Sequence, residues 1–131
     1  MNLLPKEFHD LLNDETKAFA FLATIMPDGS PQVTPIWFNT DGQYILINTA
    51  KGRQKDRNMR ARPQVAVTIL DPKRPYRYIQ IRGEIIGSTE DGAANHISVL
   101  SRKYRGHDFK IPKGQVRVTY KILPQHVSTE D

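Results

Sequence analysis

Apolar residues recur at helical spacing in two segments of this chain, which predicts one helix in each. The first segment covers residues 5–13, where Pro5 suits the opening turn of a helix and the apolar face predicts a lid over a barrel. The second covers residues 90–105 and ends before Gly106, a residue suited to closing a helix. The apolar positions that define the two faces are Leu4, Phe8, Leu11 and Leu12, and then Ile97, Leu100 and Tyr104.

Six other segments are short and apolar or alternate between apolar and polar residues, and each predicts a β-strand. Turn residues at Pro27–Ser30 and Asp41–Gly42 separate the first three, which therefore predict a meander of three antiparallel strands. Pro35 has no N–H to donate, so its strand should lie at a sheet edge or carry a bulge. The fold predicted is mainly β with α caps, a small antiparallel barrel in one domain over residues 1–131. The predicted strands cover residues 18–25, 32–38, 44–49, 64–70, 76–88 and 116–122.

The charge and the cysteine content limit the classes of ligand and site that this protein can have. The chain has 19 basic and 14 acidic residues, a formal net charge of +5 and a pI near 9.6, which favours phosphorylated cofactors, other acidic ligands or nucleic acid. It has no cysteine, which excludes disulfides, thiolate metal sites and cysteine nucleophiles. Neither a signal peptide nor a long apolar run is present, so we expect a soluble, cytoplasmic protein without membrane partners.

Familiar catalytic motifs are missing from the sequence. No GxSxG elbow, Walker-type loop or GxGxxG turn is present, so acyl transfer, nucleotide hydrolysis and Rossmann-type cofactor binding have no support. Acidic residues fall mostly in turns and helix starts, and no catalytic acid or base is identified. The histidines fall in different predicted elements without paired spacing, so no metal site is predicted; they are His9, His96, His107 and His126.

A dense basic segment follows the third predicted strand. Its six cations lie within twelve residues, directly before Pro63. A strand end that leads into a basic turn and a helix start suits a phosphate, although charge alone is equally typical of a solvated helix face. Within the predicted helix, Lys55 should face the phosphate and Arg60 should carry a solvated charge. The six cations are Lys51, Arg53, Lys55, Arg57, Arg60 and Arg62.

The residues around this segment suit a flat, anionic cofactor. The stretch Gln32–Trp37 offers backbone groups beside Pro35 and an aromatic ring, although a lone tryptophan on a strand is more often packed in the core. Asn48 and Thr49 offer side-chain donors at a strand end. The cations Lys51, Arg53 and Lys55 follow, so one end of the constellation can hold a phosphate while the other contacts ring heteroatoms.

The order of three motifs carries a family resemblance. Residues 27–38 (PDGSPQVTPIWF) are followed by residues 48–63 (NTAKGRQKDRNMRARP) and then by residues 71–84, which end in YRYIQIRGE. In this order they resemble the pyridoxamine-phosphate-oxidase-like split-barrel superfamily, and more narrowly its small B-type flavin and deazaflavin oxidoreductases. The resemblance extends over roughly residues 5–127.

This resemblance implies a six-stranded antiparallel split β-barrel, the FMN-binding split barrel, which forms a homodimer with two cofactor sites at the subunit interface. It implies that Thr49, Arg53 and Lys55 hold the phosphate, and that Gln80 and Arg82 lie near the interface. Apolar strand residues such as Ile79, Ile81 and Ile85 are expected to need a partner subunit to cover them. The cofactor ring is implied to lie along Gln32, Val33, Thr34, Pro35 and Ile36.

The resemblance also orders the candidate functions. We expect an oxidoreductase that transfers hydride between the deazaflavin coenzyme F420 (8-hydroxy-5-deazaflavin with a phosphate and an oligoglutamate tail) and a small organic substrate. The carboxylates of the F420 tail suit the long basic segment. An FMN-binding oxidoreductase or flavin carrier is the alternative, and a basic nucleic-acid-binding module is a weaker second one, because aromatic residues are not interleaved with the cations. The chain ends at Asp131 without the segment that binds pyridoxal, so vitamin B6 oxidation is not expected.

Overall fold

A curled antiparallel sheet forms the body of the protein in a computed structural model that describes residues 3–131. Within those residues the sheet has seven strands in the order β2-β1-β5-β6-β7-β4-β3. A 3-10 turn, Lys6–Phe8, leads into α1, His9–Leu12; the other helices are α2, Gln54–Ala61, and α3, Ala93–Arg105. The strands are β1 Phe19–Ile25, β2 Pro31–Ile36, β3 Phe38–Thr40, β4 Ile45–Ala50, β5 Gln64–Leu70, β6 Tyr78–Thr89 and β7 Arg117–Glu130.

The core lies on the concave face of this sheet, as the alternating pattern requires. On β6, Ile79 and Ile81 are completely buried, whereas Gln80 and Arg82 between them are exposed. The strands β1, β5 and β7 alternate in the same way, and the apolar residues of the N-terminal turn and α1 close one end of the core. The predicted mainly β half-barrel with helical caps is confirmed.

The sheet has seven strands rather than six because the predicted strand 32–38 is broken at Trp37. Ile36 pairs with Ala20 of β1, whereas Phe38 pairs with Ile47 of β4, so the two halves lie at opposite edges of the sheet. The predicted three-strand meander is therefore wrong: the chain forms two separate hairpins. The prediction for Pro35 is confirmed, since β2 is an edge strand.

The predicted helices are present with shifted boundaries. The N-terminal segment opens as a 3-10 turn before α1, and α3 begins at Ala93, three residues later than predicted. Gly92 precedes it in the left-handed conformation, at φ 75°. Gly106 closes α3 as predicted, also at positive φ, and its N–H donates to the carbonyls of Ser101 and Arg102. No helix in residues 3–131 is long and apolar enough to cross a membrane.

The last strand extends much further than the sequence predicts. Strand β7 continues to Glu130, because the long strand β6 supplies partners along its whole length, from Thr89↔Thr119 to Tyr78↔Glu130. Its second half is polar and exposed, so it lacks an apolar period. Long-range pairing, rather than local alternation, determines where this strand ends.

Candidate functional site

A cleft of about 480 Å³ opens between the outer face of β1, the end of β2, the start of α2 and the C-terminal half of α3. Its lining is mostly apolar and includes four cations. The lining residues are Phe19, Ala20, Phe21, Pro35, Ile36, Trp37, Asn48, Arg53, Lys55, Ile97, Tyr104, Arg105, Phe109 and Arg117.

Aromatic rings form one wall of this cleft. The Trp37 indole stacks on the Tyr104 ring, with centroids 5.7 Å apart and planes 8° from parallel. Phe109 meets Trp37 edge-on at 6.4 Å, and the Arg105 guanidinium lies 4.9 Å from the Trp37 ring centroid. The Tyr104 hydroxyl donates to the Ala18 carbonyl at 2.8 Å, which fixes α3 against β1. Trp37 is partly buried and lines the cleft together with Tyr104 and Phe109.

Three cations converge at the other end of the cleft. They are Arg53 and Lys55 at the start of α2 and Arg117 at the start of β7. Lys55 donates to the Thr34 hydroxyl at 3.3 Å. Its pKa is lowered by burial and then by repulsion from Arg53 and Arg117; burial and Arg53 likewise lower the pKa of Arg117 to about 10.

No carboxylate compensates this group, which we call the cleft cations. Among the ion pairs of residues 3–131, none involves Arg53, Lys55 or Arg117. Lys55 is half-buried and Arg117 is buried, with the exposed Arg53 beside them. Like charges held this closely without a counter-ion are unfavourable unless a ligand supplies the negative charge. The arrangement therefore fits a phosphate or another compact anion.

The other cations of the basic segment are engaged elsewhere. Lys51 pairs with Glu90 at 2.8 Å, Arg57 donates to the Gly52 carbonyl and to Gln54, and Arg62 donates to the Ile25 carbonyl at 2.7 Å. Arg60 is exposed, as the sequence predicts, but its Nε also lies 3.0 Å from the buried carboxylate of Asp56. Only two of the six cations thus belong to the cleft.

The buried carboxylate of Asp56 shapes the turn that precedes α2. It accepts hydrogen bonds from the Gly52 N–H, at 2.8 Å, from Arg60 and from the Tyr120 hydroxyl. Gly52 adopts a φ of 94°, which favours glycine. This turn joins β4 to α2 and sets the direction in which Arg53 and Lys55 enter the cleft.

The structure brings about half of the predicted site residues together. Pro35, Ile36, Trp37, Asn48, Arg53 and Lys55 line the cleft, and Thr34 contacts it through Lys55. The Gln32 side chain instead lies beside Thr24 and Asn58, and Val33 points outward on β2, 61% exposed. Lys51 does not line the cleft and pairs with Glu90.

Three further predicted residues lie away from the cleft. The Thr49 side chain faces the core rather than the cleft, 1% exposed, because it shares the inward face of β4 with Ile45 and Ile47. Its hydroxyl has no partner among residues 3–131. Gln80 and Arg82 lie on the outer face of β6, where Gln80 accepts a hydrogen bond from Ser128 at 3.3 Å; their position at a subunit interface stays a prediction.

Sequence reasoning missed six polar or aromatic residues of the cleft, two of which are Phe19 and Phe21 of β1. Arg117 looked like the polar partner in the alternation of the last strand, and Tyr104 looked like a core position of α3. Arg105 and Phe109 lie around the end of that helix. A basic residue at the start of a strand is the only local signal for Arg117, because its neighbours Asn48 and Arg53 are distant in sequence.

The curled half-barrel sheet with helical caps and a cleft lined by aromatic rings and cations is the architecture of a split barrel. The sequence profile described as pyridoxamine 5′-phosphate oxidase matches residues 4–130, so the chain belongs to that family. The resemblance drawn from the three sequence motifs is confirmed.

Solved structures agree with this assignment. A structure named F420 reductase shares 33% sequence identity over 95% of this chain and 98% of its own, with a TM-score of 0.83. A conserved hypothetical protein from Mycobacterium tuberculosis is 22% identical over 99% and 86% of the two chains, with a TM-score of 0.75. General Stress Protein 26 from Bacillus anthracis is 20% identical over 95% of each, with a TM-score of 0.70. No curated protein matches the sequence.

Proposed function

We propose that this protein is an oxidoreductase that binds the deazaflavin coenzyme F420 and transfers hydride between it and a small organic substrate. Family membership supports a flavin- or deazaflavin-type oxidoreductase in general. The similarity to a structure named F420 reductase favours the deazaflavin. The observation that carries the proposal is the uncompensated cluster of cleft cations at one end of an aromatic cleft.

The cleft residues fit the two chemical ends of such a cofactor. Arg53, Lys55 and Arg117 would hold the phosphate, because their charges and N–H groups have no carboxylate partner. The flat surface of Trp37 and the edge strand at Pro35 would lie against the ring system. When bound, F420 supplies the hydride chemistry, and the residues of the cleft bind, orient and shield it.

The fourth cation of the cleft favours F420 over FMN. Arg105 stacks on Trp37 and forms no ion pair among residues 3–131, so it is available to a second negative group. F420 carries glutamate carboxylates in addition to its phosphate, whereas FMN carries the phosphate alone. FMN remains the alternative because its phosphate suits the same three cleft cations.

The basic segment gives no support to nucleic-acid binding. Four of its six cations are engaged by Glu90, Asp56 or neighbouring carbonyl and amide oxygens. The remaining two point into the cleft rather than along an exposed stripe.

The protein is also proposed to act as a homodimer. The expected reason was wrong, because Ile79 and Ile81 are buried within one chain. Three of the exposed apolar residues, Phe19, Phe21 and Val33, lie instead on the outer faces of β1 and β2, where Phe19 is 54% exposed and Val33 61%. Phe19 also lines the cleft, so a partner on this face would adjoin the cofactor. Light scattering should give twice the chain mass of 15.0 kDa; a monomeric mass would contradict the dimer.

Titration of the purified protein with F420 and with FMN, followed by fluorescence, tests the proposed function. We expect F420 to bind more tightly than FMN, and its affinity to fall as ionic strength rises, because partly exposed charges are screened by salt. Tighter binding of FMN would favour the alternative. Failure to bind either cofactor would contradict the proposal, and a salt-independent affinity would show that the cations contribute little.

A further inference from the structure

Arg117 is held by neutral acceptors only. Its Nε donates to the Asn48 Oδ1 at 2.9 Å, and its Nη1 donates to the Gln115 Oε1, also at 2.9 Å. Its guanidinium carbon lies 5.2 Å from the centroid of the Phe109 ring. An arginine enclosed to this degree usually meets a carboxylate, but none of the ion pairs in residues 3–131 includes it.

The orientation of the Asn48 amide follows from its surroundings. Its Nδ2 lies 3.0 Å from the Ala93 carbonyl, which can only accept, while its Oδ1 faces the Arg117 Nε–H, which can only donate. Both contacts therefore require the same orientation of the amide. Its Nδ2 also faces the His96 Nδ1, so we expect the Asn48 amide to hold Arg117 rather than to contact a cofactor ring directly, whereas the sequence predicted a direct contact.

His96 extends this hydrogen-bond network into α3 and β3. Its Nδ1 lies 3.2 Å from the Asn48 Nδ2 and 3.1 Å from the Thr119 hydroxyl, and its Nε2 lies 2.9 Å from the Asn39 Oδ1. An Nδ1 that faces the Asn48 amide N–H acts as an acceptor, so the ring proton lies on Nε2 and is donated to Asn39. The amide that holds Arg117 is thereby fixed to three elements of the fold.

We propose that Asn48 and Gln115 are positioning residues that fix the Arg117 guanidinium with neutral amide oxygens and so preserve its charge for an anionic ligand. The inference rests on the proposed function, since it explains how one phosphate-binding residue is held. A carboxylate at either position would accept the same hydrogen bond, but it would also pair with Arg117 and compete with the ligand. The amide oxygens therefore fix the position of the Arg117 guanidinium without neutralising its charge.

Two substitutions that exchange an amide for a carboxylate test this inference. Gln115→Glu and Asn48→Asp keep an acceptor for Arg117 and add a negative charge. Gln43→Glu is the matched control, because Gln43 is exposed in the turn before β4, at the opposite end of that strand from Asn48. Circular dichroism establishes that each variant is folded. Titrations with inorganic phosphate and with F420 are then compared.

We expect Gln115→Glu and Asn48→Asp to weaken phosphate and F420 binding on the order of tenfold, and Gln43→Glu to change it less than about twofold. In ¹⁵N NMR spectra, the Arg117 Nε–H signal should stay protected from exchange in Gln115→Glu and lose protection in Asn48→Ala. A purely structural role predicts no loss of affinity in a folded Gln115→Glu variant, so this variant tests the inference even if Asn48→Asp does not fold.

The outcomes separate this inference from the proposed function. If the wild type binds phosphate but neither F420 nor FMN, the proposed function fails, and the phosphate titrations of the variants still decide the role of the amides. If F420 binds and Gln115→Glu retains the affinity of Gln43→Glu, the inference is overturned while the function stands. A wild-type protein that does not bind phosphate also overturns the inference.

Discussion

Arg77 and Arg117 are both largely enclosed by the fold, yet they meet opposite kinds of acceptor. Arg77 donates to both carboxylate oxygens of Asp10, at 2.8 and 2.9 Å, and to Asp71 at 3.2 Å, with Asp131 within 3.8 Å. Arg117 donates to two amide oxygens and lies beside another cation. The hydrogen bonds that Arg77 donates to Asp10 raise the pKa of Arg77, whereas burial and Arg53 lower the pKa of Arg117.

The difference separates a cation that stabilises the fold from one that is available to a ligand. Arg77 joins α1 to the connection between β5 and β6, and its guanidinium lies 4.6 Å from the centroid of the buried Phe8 ring. Its charge is fully used within the chain. In contrast, Arg117, Arg53 and Lys55 form no ion pair among residues 3–131, so their charges are available to a ligand. The absence of carboxylates, more than the presence of positive charge, therefore distinguishes the candidate site.

We expect the largest effect on the free energy of unfolding from Arg77→Ala. The variant should lose about 2 kcal/mol of unfolding free energy, because several hydrogen bonds between charged groups disappear while the exposure of Asp10 and Asp131 limits their strength. Urea denaturation measures the loss. Arg117→Ala is the paired variant and should lose less, since its removal also relieves repulsion from Arg53. A larger loss in Arg117→Ala would contradict the comparison.

For cofactor binding the order should be reversed, with a larger effect from Arg117→Ala than from Arg77→Ala. Arg117→Ala is expected to weaken F420 binding roughly ten- to hundredfold, the usual effect of removing a charge-assisted hydrogen bond to phosphate. Folded Arg77→Ala should bind as the wild type does. Calorimetric titration checks both variants, and unchanged affinity in Arg117→Ala would remove this residue from the site.

Lys55→Ala should weaken F420 binding on the order of tenfold, because Lys55 contributes a charge and a donor to the same cluster. Lys73→Ala is the control, since Lys73 is exposed in the connection between β5 and β6 and forms no ion pair among residues 3–131. Arg60→Ala is unsuitable as a control, because it would leave the buried Asp56 without its cation. Equal losses in Lys55→Ala and Lys73→Ala would indicate a diffuse basic surface.

A smaller effect is expected on the stability of the protein at acidic pH. Hydrogen bonds from Arg77 lower the pKa of Asp10 below the ordinary 3.8. The backbone N–H of Lys73, and then Arg77, lower the pKa of Asp71 in the same way. Their stabilising contribution is therefore present above the unfolded value and is lost as pH falls through the lower folded values. Urea midpoints measured between about pH 5 and pH 2 should decline less steeply in Arg77→Ala than in the wild type. Parallel curves would contradict this assignment.

Much of the fold follows from local pattern, because alternation marks each strand that packs one face on the core. Strand β5 has the predicted boundaries, and Gly106 ends α3 as expected. The break at Trp37 was not predicted, since it depends on the chain crossing from one sheet edge to the other. The polar end of β7 was missed for a related reason: only its pairing with β6 makes it a strand.

The site was predictable where its residues are close in sequence. Arg53 and Lys55 follow a strand end in a basic segment, so their position indicated an anion site. Arg117 joins them only through the pairing of β7 with β4, which opposes Arg117 to Ala50. Thr49 shows the converse case. Its spacing from Ile45 and Ile47 already indicated the core face, where its side chain lies, whereas the phosphate contact implied by the family resemblance stays a prediction.

A crystal structure of the protein with F420 bound tests the central claim most directly. The account predicts that the cofactor phosphate lies within hydrogen-bond distance of Arg53, Lys55 and Arg117, with Asn48 still turned toward Arg117 rather than toward the ring. A phosphate bound elsewhere on the molecule, with these three side chains left without an anion, would contradict it.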